Sequence, residues 1–325
     1  MANKKTLFER LGGEFGIAYV VNRFSNQVLE NKTVGYESKN QQLQDWSVHE
    51  AKHRLPGLKF ERTLWMIDAT GGPLKYVPSL GLPTNPTEDR LSLEIPHCPL
   101  QITSDEFDAV AGELDLALLF CGVPQAETKE VLAAFNAEKN KVIRGSKIQE
   151  KGRCPYSLPE RNQANKARTD TLFERLGGEF GIAYVVELFS DRLLQDQVVG
   201  VNSKNPHLRN WSRNEAEKRL PGLKFERTLW MIDATGGPLR YTPSLGVPPL
   251  QNGKHLNLAN PHCPFQISRT EFDAVAGVLK TVLEECQVPK ADVQAVLDVF
   301  GQQKDNVTMG NRVPSRCPAG FFGHS

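Results

Sequence analysis

The chain contains one sequence twice, and this repeat limits the folds open to it. Residues 6–21 recur without a change at 171–186, an offset of 165 residues. The offset continues without a gap as far as the pair Phe135 and Phe300, and more than half of the positions are identical. A single domain has therefore been duplicated, and the chain should consist of two units of the same fold.

The repeat also predicts the domain boundaries. We predict a first domain over 1–143, a linker over 144–168, a second domain over 169–309 and a C-terminal tail over 310–325. Between Lys139 and Arg168 the sequence carries a charge of +7, whereas the rest of the chain carries −6. This basic strip is either a docking site for an acidic partner such as a reductase, or a solvated helix end that runs into a linker.

Overall charge and hydropathy exclude several kinds of protein. A net charge of +1 and an isoelectric point near 7.6 argue against a dedicated nucleic-acid-binding or membrane-surface protein. No apolar stretch is long enough to span a membrane, and the short start contains no targeting segment. The six cysteines are too sparse for a disulfide scaffold and fit a reducing compartment. We therefore expect a cytoplasmic protein.

The first half of each copy has helical apolar spacing. A capping box at Thr6 and Glu9 predicts a short helix that a Gly-Gly pair stops, and residues 17–28 predict a longer second helix. A polar stretch then ends at Pro56, and a third helix is predicted over 58–70.

The second half of each copy continues the helical pattern. A second capping box, Thr103 with Glu106, opens a fourth helix, and a fifth helix is predicted to carry Val131, Phe135 and Val142. No stretch alternates as a strand does. The predicted fold class is all-α.

Among the seven histidines, only His97 and His262 share a position across the two copies. Each lies in a Pro-His-Cys-Pro sequence, at the end of a long loop and just before a capped helix. A lone neutral imidazole that projects into an apolar, aromatic-rich helical pocket is what haem iron takes as an axial ligand. The alternative is a loop histidine that hydrogen-bonds to a helix end.

Several motifs together resemble one protein family. In the first copy they are LFERLGG at 7–13, VVNRF at 20–24, ATGGP at 69–73, HCPLQITSDEFDAV at 97–110 and GVP at 122–124. In order and spacing this set resembles the truncated haemoglobins, most closely group I. The resemblance implies two tandem two-over-two helical sandwiches, each around one haem b, with His97 and His262 as the proximal ligands of the iron.

The resemblance also implies which residues surround the haem. These are, in the two copies, Phe24 and Phe189, Leu58 and Leu223, Arg62 and Arg227, and Trp65 and Trp230. The tryptophans either pack in the core or narrow the distal pocket, which would favour small diatomic ligands. Glu61 and Arg62 form either a charged distal gate or a haem propionate partner, or they lie on an exposed helix face.

The sequence departs from the family pattern at two places. The family usually has an oxygen-binding tyrosine where this chain has Ser25 and Ser190, so we expect oxygen to dissociate faster than in relatives with the tyrosine. The phenylalanine pair that wedges the haem falls near Tyr36, where no such pair exists.

The leading hypothesis is a tandem truncated globin that binds oxygen, nitric oxide or carbon monoxide, as a carrier, a sensor or a nitric oxide dioxygenase. The rival is a globin-shaped module that has lost haem and acts as an interaction subunit. A third hypothesis is a redox or haem sensor that uses the Cys-Pro sequences of the chain. These contain Cys98, Cys154, Cys263 and Cys317. The other two cysteines, Cys121 and Cys286, are predicted to be core residues.

Overall fold

The computed structural model of the chain describes residues 5–76, 91–150, 171–242 and 256–309. The chain divides into two compact units, Met1–Thr169 and Asp170–Ser325. Within the described residues every regular element is helical and no strand occurs, which confirms the predicted all-α class. The predicted tail and most of the predicted linker lie outside the described residues, so those boundaries stay predictions.

The first unit contains eight described helices. They are α1 (Leu7–Arg10), α2 (Gly13–Glu30), α3 (Gln41–Asp45), α4 (Ala51–Ala69), α5 (Glu94–His97), α6 (Ser104–Phe120), α7 (Gln125–Asn136) and α8 (Lys139–Glu150). A π-helical turn, Trp46–Glu50, joins α3 to α4, and a 3-10 turn, Cys98–Leu100, follows α5.

The second unit repeats this order. Its described helices are α9 (Leu172–Arg175), α10 (Gly178–Gln195), α11 (Pro206–Asn210), α12 (Ala216–Ala234), α13 (Ala259–His262), α14 (Arg269–Glu285), α15 (Lys290–Gly301) and α16 (Lys304–Met309). The π-helical turn recurs as Trp211–Glu215 and the 3-10 turn as Cys263–Phe265.

Local sequence fixes the start of these helices. The Thr6 hydroxyl accepts the Glu9 backbone N–H at 3.2 Å, and the Glu9 carboxylate accepts the Thr6 N–H at 2.8 Å. Thr103 and Glu106 form the same reciprocal box at the start of α6. Gly12 has a left-handed φ of 86°, which glycine adopts without strain, and it separates α1 from α2. Both predicted boxes are confirmed.

The core of the first unit lies where α2 packs against α4 and α6. Ile17, Leu64 and Leu114 contribute one side chain from each helix, and all three are fully buried. Burying each of these side chains stabilises the unit by about 1.5–3 kcal/mol. The packing of α2 on α4 brings together the two helices that carry Phe24, Leu58 and Arg62.

The helix that carries Arg62 begins earlier than predicted. The expected start at residue 58 is wrong, because α4 begins at Ala51 and contains Pro56. A proline inside a helix removes one N–H and leaves the carbonyl four residues earlier without its partner. That carbonyl belongs to Lys52, an exposed residue, so the proline falls where the helix faces solvent and the loss costs least.

The predicted fifth helix is in fact two helices. The segment breaks between α7 and α8 at Ala137 and Glu138, so Val142 lies on α8 rather than on the helix of Phe135. Glu138 is buried at this break. Its carboxylate binds a backbone N–H of another segment, as described below, which explains why the chain turns here.

Helix α8 continues past the predicted domain boundary at residue 143 and packs on the segment around α5. A Cβ atom on Gly145 would lie 2.2 Å from the Glu94 carbonyl oxygen, so only glycine allows this approach. The Ser146 hydroxyl donates to the Ile102 carbonyl at 2.9 Å. Arg144, at the start of the predicted linker, pairs with the Glu94 carboxylate at 3.1 Å. The positive charge of Arg144, which belongs to the basic strip, is therefore already paired inside the unit.

Two of the Cys-Pro cysteines differ from the prediction. Cys98 and Cys263 are buried and disulfide-bonded, so their sulfurs are not available as thiolate ligands. Because disulfides persist in oxidising surroundings, the cysteine-based argument for a reducing compartment does not hold. Cys121 and Cys286 are free and half-buried rather than core residues, and partial burial raises the pKa of both thiols. Cys154 and Cys317 lie outside the described residues.

Candidate functional site

His97 is the last residue of the short helix α5, and its ring is oriented by the backbone. Its Nδ1 atom lies 3.0 Å from the carbonyl oxygen of Leu93. A carbonyl only accepts hydrogen bonds, so Nδ1 carries the proton and Nε2 keeps its lone pair. His262 makes the same contact with Leu258 at 2.9 Å. Each copy thus presents one imidazole nitrogen that is ready to bind a metal.

Both imidazoles are neutral at physiological pH. Burial lowers the pKa of His97 to about 4, opposed by the hydrogen bond to Leu93 and assisted by the positive charge of Arg62. His262 has its pKa lowered to about 4 in the same way, with Arg227 as the nearby charge. The field of each arginine therefore reaches the histidine of its own unit.

The carbonyl that orients His97 belongs to a segment fixed at both of its ends. The Leu93 N–H donates to the Glu138 carboxylate at 2.9 Å, and Lys141 pairs with that carboxylate at 2.5 Å. Two residues earlier, the Leu91 carbonyl accepts the indole N–H of Trp65 at 2.9 Å. Glu138, at the start of α8, and Trp65, on α4, therefore position the segment that orients the His97 ring.

The second unit keeps this support but changes its chemistry. The Leu258 N–H donates to the side-chain oxygen of Gln303 at 3.1 Å, and Asn306 donates to the same oxygen at 3.2 Å. An amide pair thus stands where the first unit has an ion pair. Trp230 donates to the Leu256 carbonyl at 2.9 Å, as Trp65 does in the first unit.

On the distal side, Arg62 of α4 is directed towards helix α2. Its Nη1 donates to the Ser25 hydroxyl at 3.0 Å, and its guanidinium lies 4.9 Å from the centre of the Phe24 ring. Ser25 is completely buried and Phe24 nearly so. Glu61 is also buried, at 8% exposure. The alternative of an exposed helix face for Glu61 and Arg62 is therefore wrong.

The second unit contains the same distal arrangement. Arg227 donates to the Ser190 hydroxyl at 2.9 Å and lies 5.2 Å from the centre of the Phe189 ring. Burial lowers the pKa of both arginines to about 10, so both remain charged at neutral pH. Neither Arg62 nor Arg227 has a carboxylate at ion-pair distance among the described residues.

Four aromatic rings of the first unit form a cluster around Phe135. Phe135 of α7 lies 6.4 Å from Phe24 and 6.3 Å from Trp65, both edge to face, and stacks on Phe107 at 5.0 Å. Trp65 is buried, which favours core packing over narrowing of the pocket. In the second unit Phe300 stacks on Phe272 at 4.8 Å.

Three predicted site residues of the first unit are connected through the Phe24 and Phe135 rings. Phe24, Arg62 and Trp65 are linked to the His97 region by the contacts given above. Leu58 and Leu223 are half-buried and lie one helical turn before Arg62 and Arg227. The site roles of these residues remain predictions.

Sequence reasoning missed three contributors to the first site: the Ser25 hydroxyl as a partner of Arg62, Phe135 as the central ring, and Glu138 as the support of Leu93. Phe135 had a signal, since it recurs as Phe300 at the repeat offset. Glu138 had none, because its mate in the repeat is a glutamine.

The side chains present fit haem. A neutral imidazole whose second nitrogen donates to a backbone carbonyl is the usual form of a metal-ligating histidine. The ring of Phe265 lies 6.5 Å from that of His262, and Arg62 and Arg227 supply charged donors. An all-α unit that presents a histidine in this state is typical of the globin class, in which a histidine holds the haem iron.

Comparison with known families agrees with this class. The sequence model of bacterial-like globins matches the chain twice, over residues 6–143 and 171–309. The chain belongs to the bacterial-like globin family and contains two globin domains in tandem. A comparison with curated proteins finds no match.

Solved structures similar to one unit of the chain are truncated haemoglobins. One is the Fe(III) form of truncated hemoglobin from Tetrahymena pyriformis, at 22% identity and a TM-score of 0.33, covering 42% of this chain and 97% of that one. Another is the 2/2 hemoglobin of a Synechococcus species in the cyanomet state with covalently attached heme, at 23% identity and the same TM-score, covering 42% and 98%.

Within the described residues, none of the helices combines the length and the apolar character that crossing a membrane requires.

Proposed function

We propose that each unit binds one haem b, with His97 and His262 as the proximal ligands, and that the chain binds diatomic gases at these two sites. The observation that carries the proposal is the state of the two histidines. Each is neutral, each has Nδ1 committed to a backbone carbonyl, and each keeps the Nε2 lone pair. An axial ligand needs a neutral ring with a free nitrogen lone pair, and the hydrogen bond at Nδ1 fixes its orientation.

Haem supplies an iron atom that binds oxygen, nitric oxide or carbon monoxide reversibly. The residues of the chain hold and tune it. Leu93 fixes the plane of the His97 ring, and the Phe24 and Phe135 rings exclude water from the pocket. Arg62 places a fixed positive charge on the distal side. Gas carriage, sensing and nitric oxide dioxygenation all start from this binding step.

The test is haem stoichiometry in the full-length protein, read from the Soret absorption band during titration with hemin. The wild-type chain should bind two equivalents. His97→Ala and His262→Ala should each bind one, and the double variant none. His207→Ala is the control, because this exposed histidine lies on α11 and should leave two equivalents bound.

Two results would contradict the proposal. A chain that binds no haem would favour the rival hypothesis, a haem-free globin module that serves as an interaction subunit. A double variant that keeps both equivalents with an unchanged band would show that other residues hold the iron.

A further inference from the structure

The most unusual group in each unit is the distal arginine. Arg62 crosses from α4 to α2 and donates one N–H to Ser25, which is the hydrogen-bond acceptor that the described residues offer it. A half-buried guanidinium with no carboxylate partner among those residues keeps further N–H donors for an anion, because charge-assisted hydrogen bonds to anions are strong.

We infer that Arg62 with Ser25, and Arg227 with Ser190, form a binding site for a small inorganic monoanion on the distal side of each pocket. The inference rests on the proposed function, because the anion would be the distal ligand of the haem that His97 or His262 holds. Nitrite is one physiological anion of this class, and azide is a convenient probe.

Three observations favour this occupant. Both copies keep the pair, with hydrogen bonds of 3.0 and 2.9 Å and the same aromatic ring beneath the guanidinium. The charge remains at neutral pH although burial lowers the pKa of Arg62 to about 10. Finally, the Phe24 ring beneath the Arg62 guanidinium contacts Phe135, which also contacts Trp65, so the charge lies beside the aromatic cluster that leads to the segment of His97.

A haem propionate is the competing anion, and the direction of the side chain argues against it. Haem propionates carry charge and are found where a pocket opens to water. Arg62 is instead hydrogen-bonded to Ser25, which has no exposed surface, beside Phe24, which is 3% exposed. The guanidinium therefore points towards the interior of the helix pair.

The experiment compares anionic and neutral ligands on the full-length holoprotein. Azide is titrated into the ferric form and carbon monoxide into the ferrous form, each followed by absorption. Replacing both arginines, Arg62→Leu with Arg227→Leu, should weaken azide binding about tenfold to a hundredfold relative to carbon monoxide, because a charge-assisted hydrogen bond is lost. Arg62→Lys with Arg227→Lys should lose much less.

The control removes the same charge from the same helices outside the pocket. Arg54 pairs with Glu50, and Arg219 approaches Glu215, so Arg54→Leu with Arg219→Leu should leave azide binding unchanged. If the leucine variants at 62 and 227 fail to fold, Ser25→Ala with Ser190→Ala provides the second test. Those variants free the guanidinium and should change azide affinity more than carbon monoxide affinity.

A spectroscopic readout is independent of affinity. The stretching frequency of carbon monoxide bound to the ferrous protein should rise in the Arg→Leu variant, because a positive charge near the ligand oxygen lowers it. An unchanged azide to carbon monoxide ratio together with an unchanged frequency would overturn the inference. Faster haem loss with no change in azide binding would assign the arginines to the propionates and also overturn it.

The two levels of failure are separate. If the wild-type chain shows no Soret band, the proposed function fails and the anion site fails with it. If the band and its dependence on His97 and His262 are present but azide binding ignores the arginines, only the anion site fails.

Discussion

The indole N–H of Trp65 donates to the carbonyl of Leu91 at 2.9 Å, which ties helix α4 to the segment that carries His97. The sequence separation of 26 residues makes this a tertiary bond, and Trp230 repeats it with Leu256. The position of His97 therefore depends on α4 as well as on its own helix.

Replacing this tryptophan tests that dependence. Trp65→Phe keeps a ring in the core but removes the indole donor from the Leu91 carbonyl, so the free energy of unfolding should fall by about 1 kcal/mol. Haem should also dissociate faster from the first unit. Trp46→Phe is the control, since Trp46 is half-buried and donates no such bond. Equal effects of the two substitutions in urea unfolding and haem loss would contradict the assigned role.

The support of Leu93 provides a paired test. Glu138→Gln alone removes the carboxylate that pairs with Lys141 at 2.5 Å and accepts the Leu93 N–H, and should lower the stability of the first unit by about 1 kcal/mol. Adding Lys141→Asn should restore it, because Gln303 and Asn306 already show that an amide pair holds the same backbone N–H. Urea unfolding of the single and double variants measures the coupling, and strictly additive losses would contradict this account.

The histidines predict how the haem-free protein responds to acid. The pKa of His97 and His262 is lowered to about 4, against about 6.5 in the unfolded chain. The unfolded state therefore binds more protons between these values, so stability falls as the pH drops from about 6.5 to 4. The expected loss is about 1–3 kcal/mol per site. Urea titrations should show a weaker dependence in the variant with His97→Gln and His262→Gln, and an identical dependence would refute it.

Thiol titration tests the cysteine assignment. In denaturant without reductant the chain should show fewer than six reactive thiols, because Cys98 and Cys263 are disulfide-bonded, and all six after reduction. In the native protein Cys121 and Cys286 should react slowly at neutral pH, since burial raises the pKa of both thiols and the thiolate is the reactive form. Six thiols before reduction would rule out the disulfides.

The elements that could be predicted from sequence are those with local signals. The Thr6 and Thr103 boxes, helix α2 and the all-α class follow from residues three or four positions apart. The start of α4 could not be predicted in this way, because Pro56 is a boundary signal that the helical path beginning at Gln41 overrides.

In the candidate site, too, the features with a sequence signal could be predicted and the tertiary contacts could not. The histidines emerged from the repeat and from the family resemblance. In contrast, the bond from Arg62 to Ser25 joins residues 37 positions apart on two helices, and the sequence contains no pattern for it. The resemblance indicated only that a tyrosine is missing at Ser25, whereas the structure shows that the Ser25 hydroxyl accepts a hydrogen bond from Arg62.

The exchange of Glu138 and Lys141 for Gln303 and Asn306 has an evolutionary consequence. Exchanging only the acid removes the carboxylate that pairs with Lys141, and exchanging only the lysine removes that counter-charge from a buried carboxylate, so we expect the two exchanges to be tolerated best together. Both halves of the chain keep the hydrogen bond to the backbone N–H four residues before the histidine, whereas the side chains that make it differ. The repeat therefore preserves the orientation of the histidine with two different chemistries.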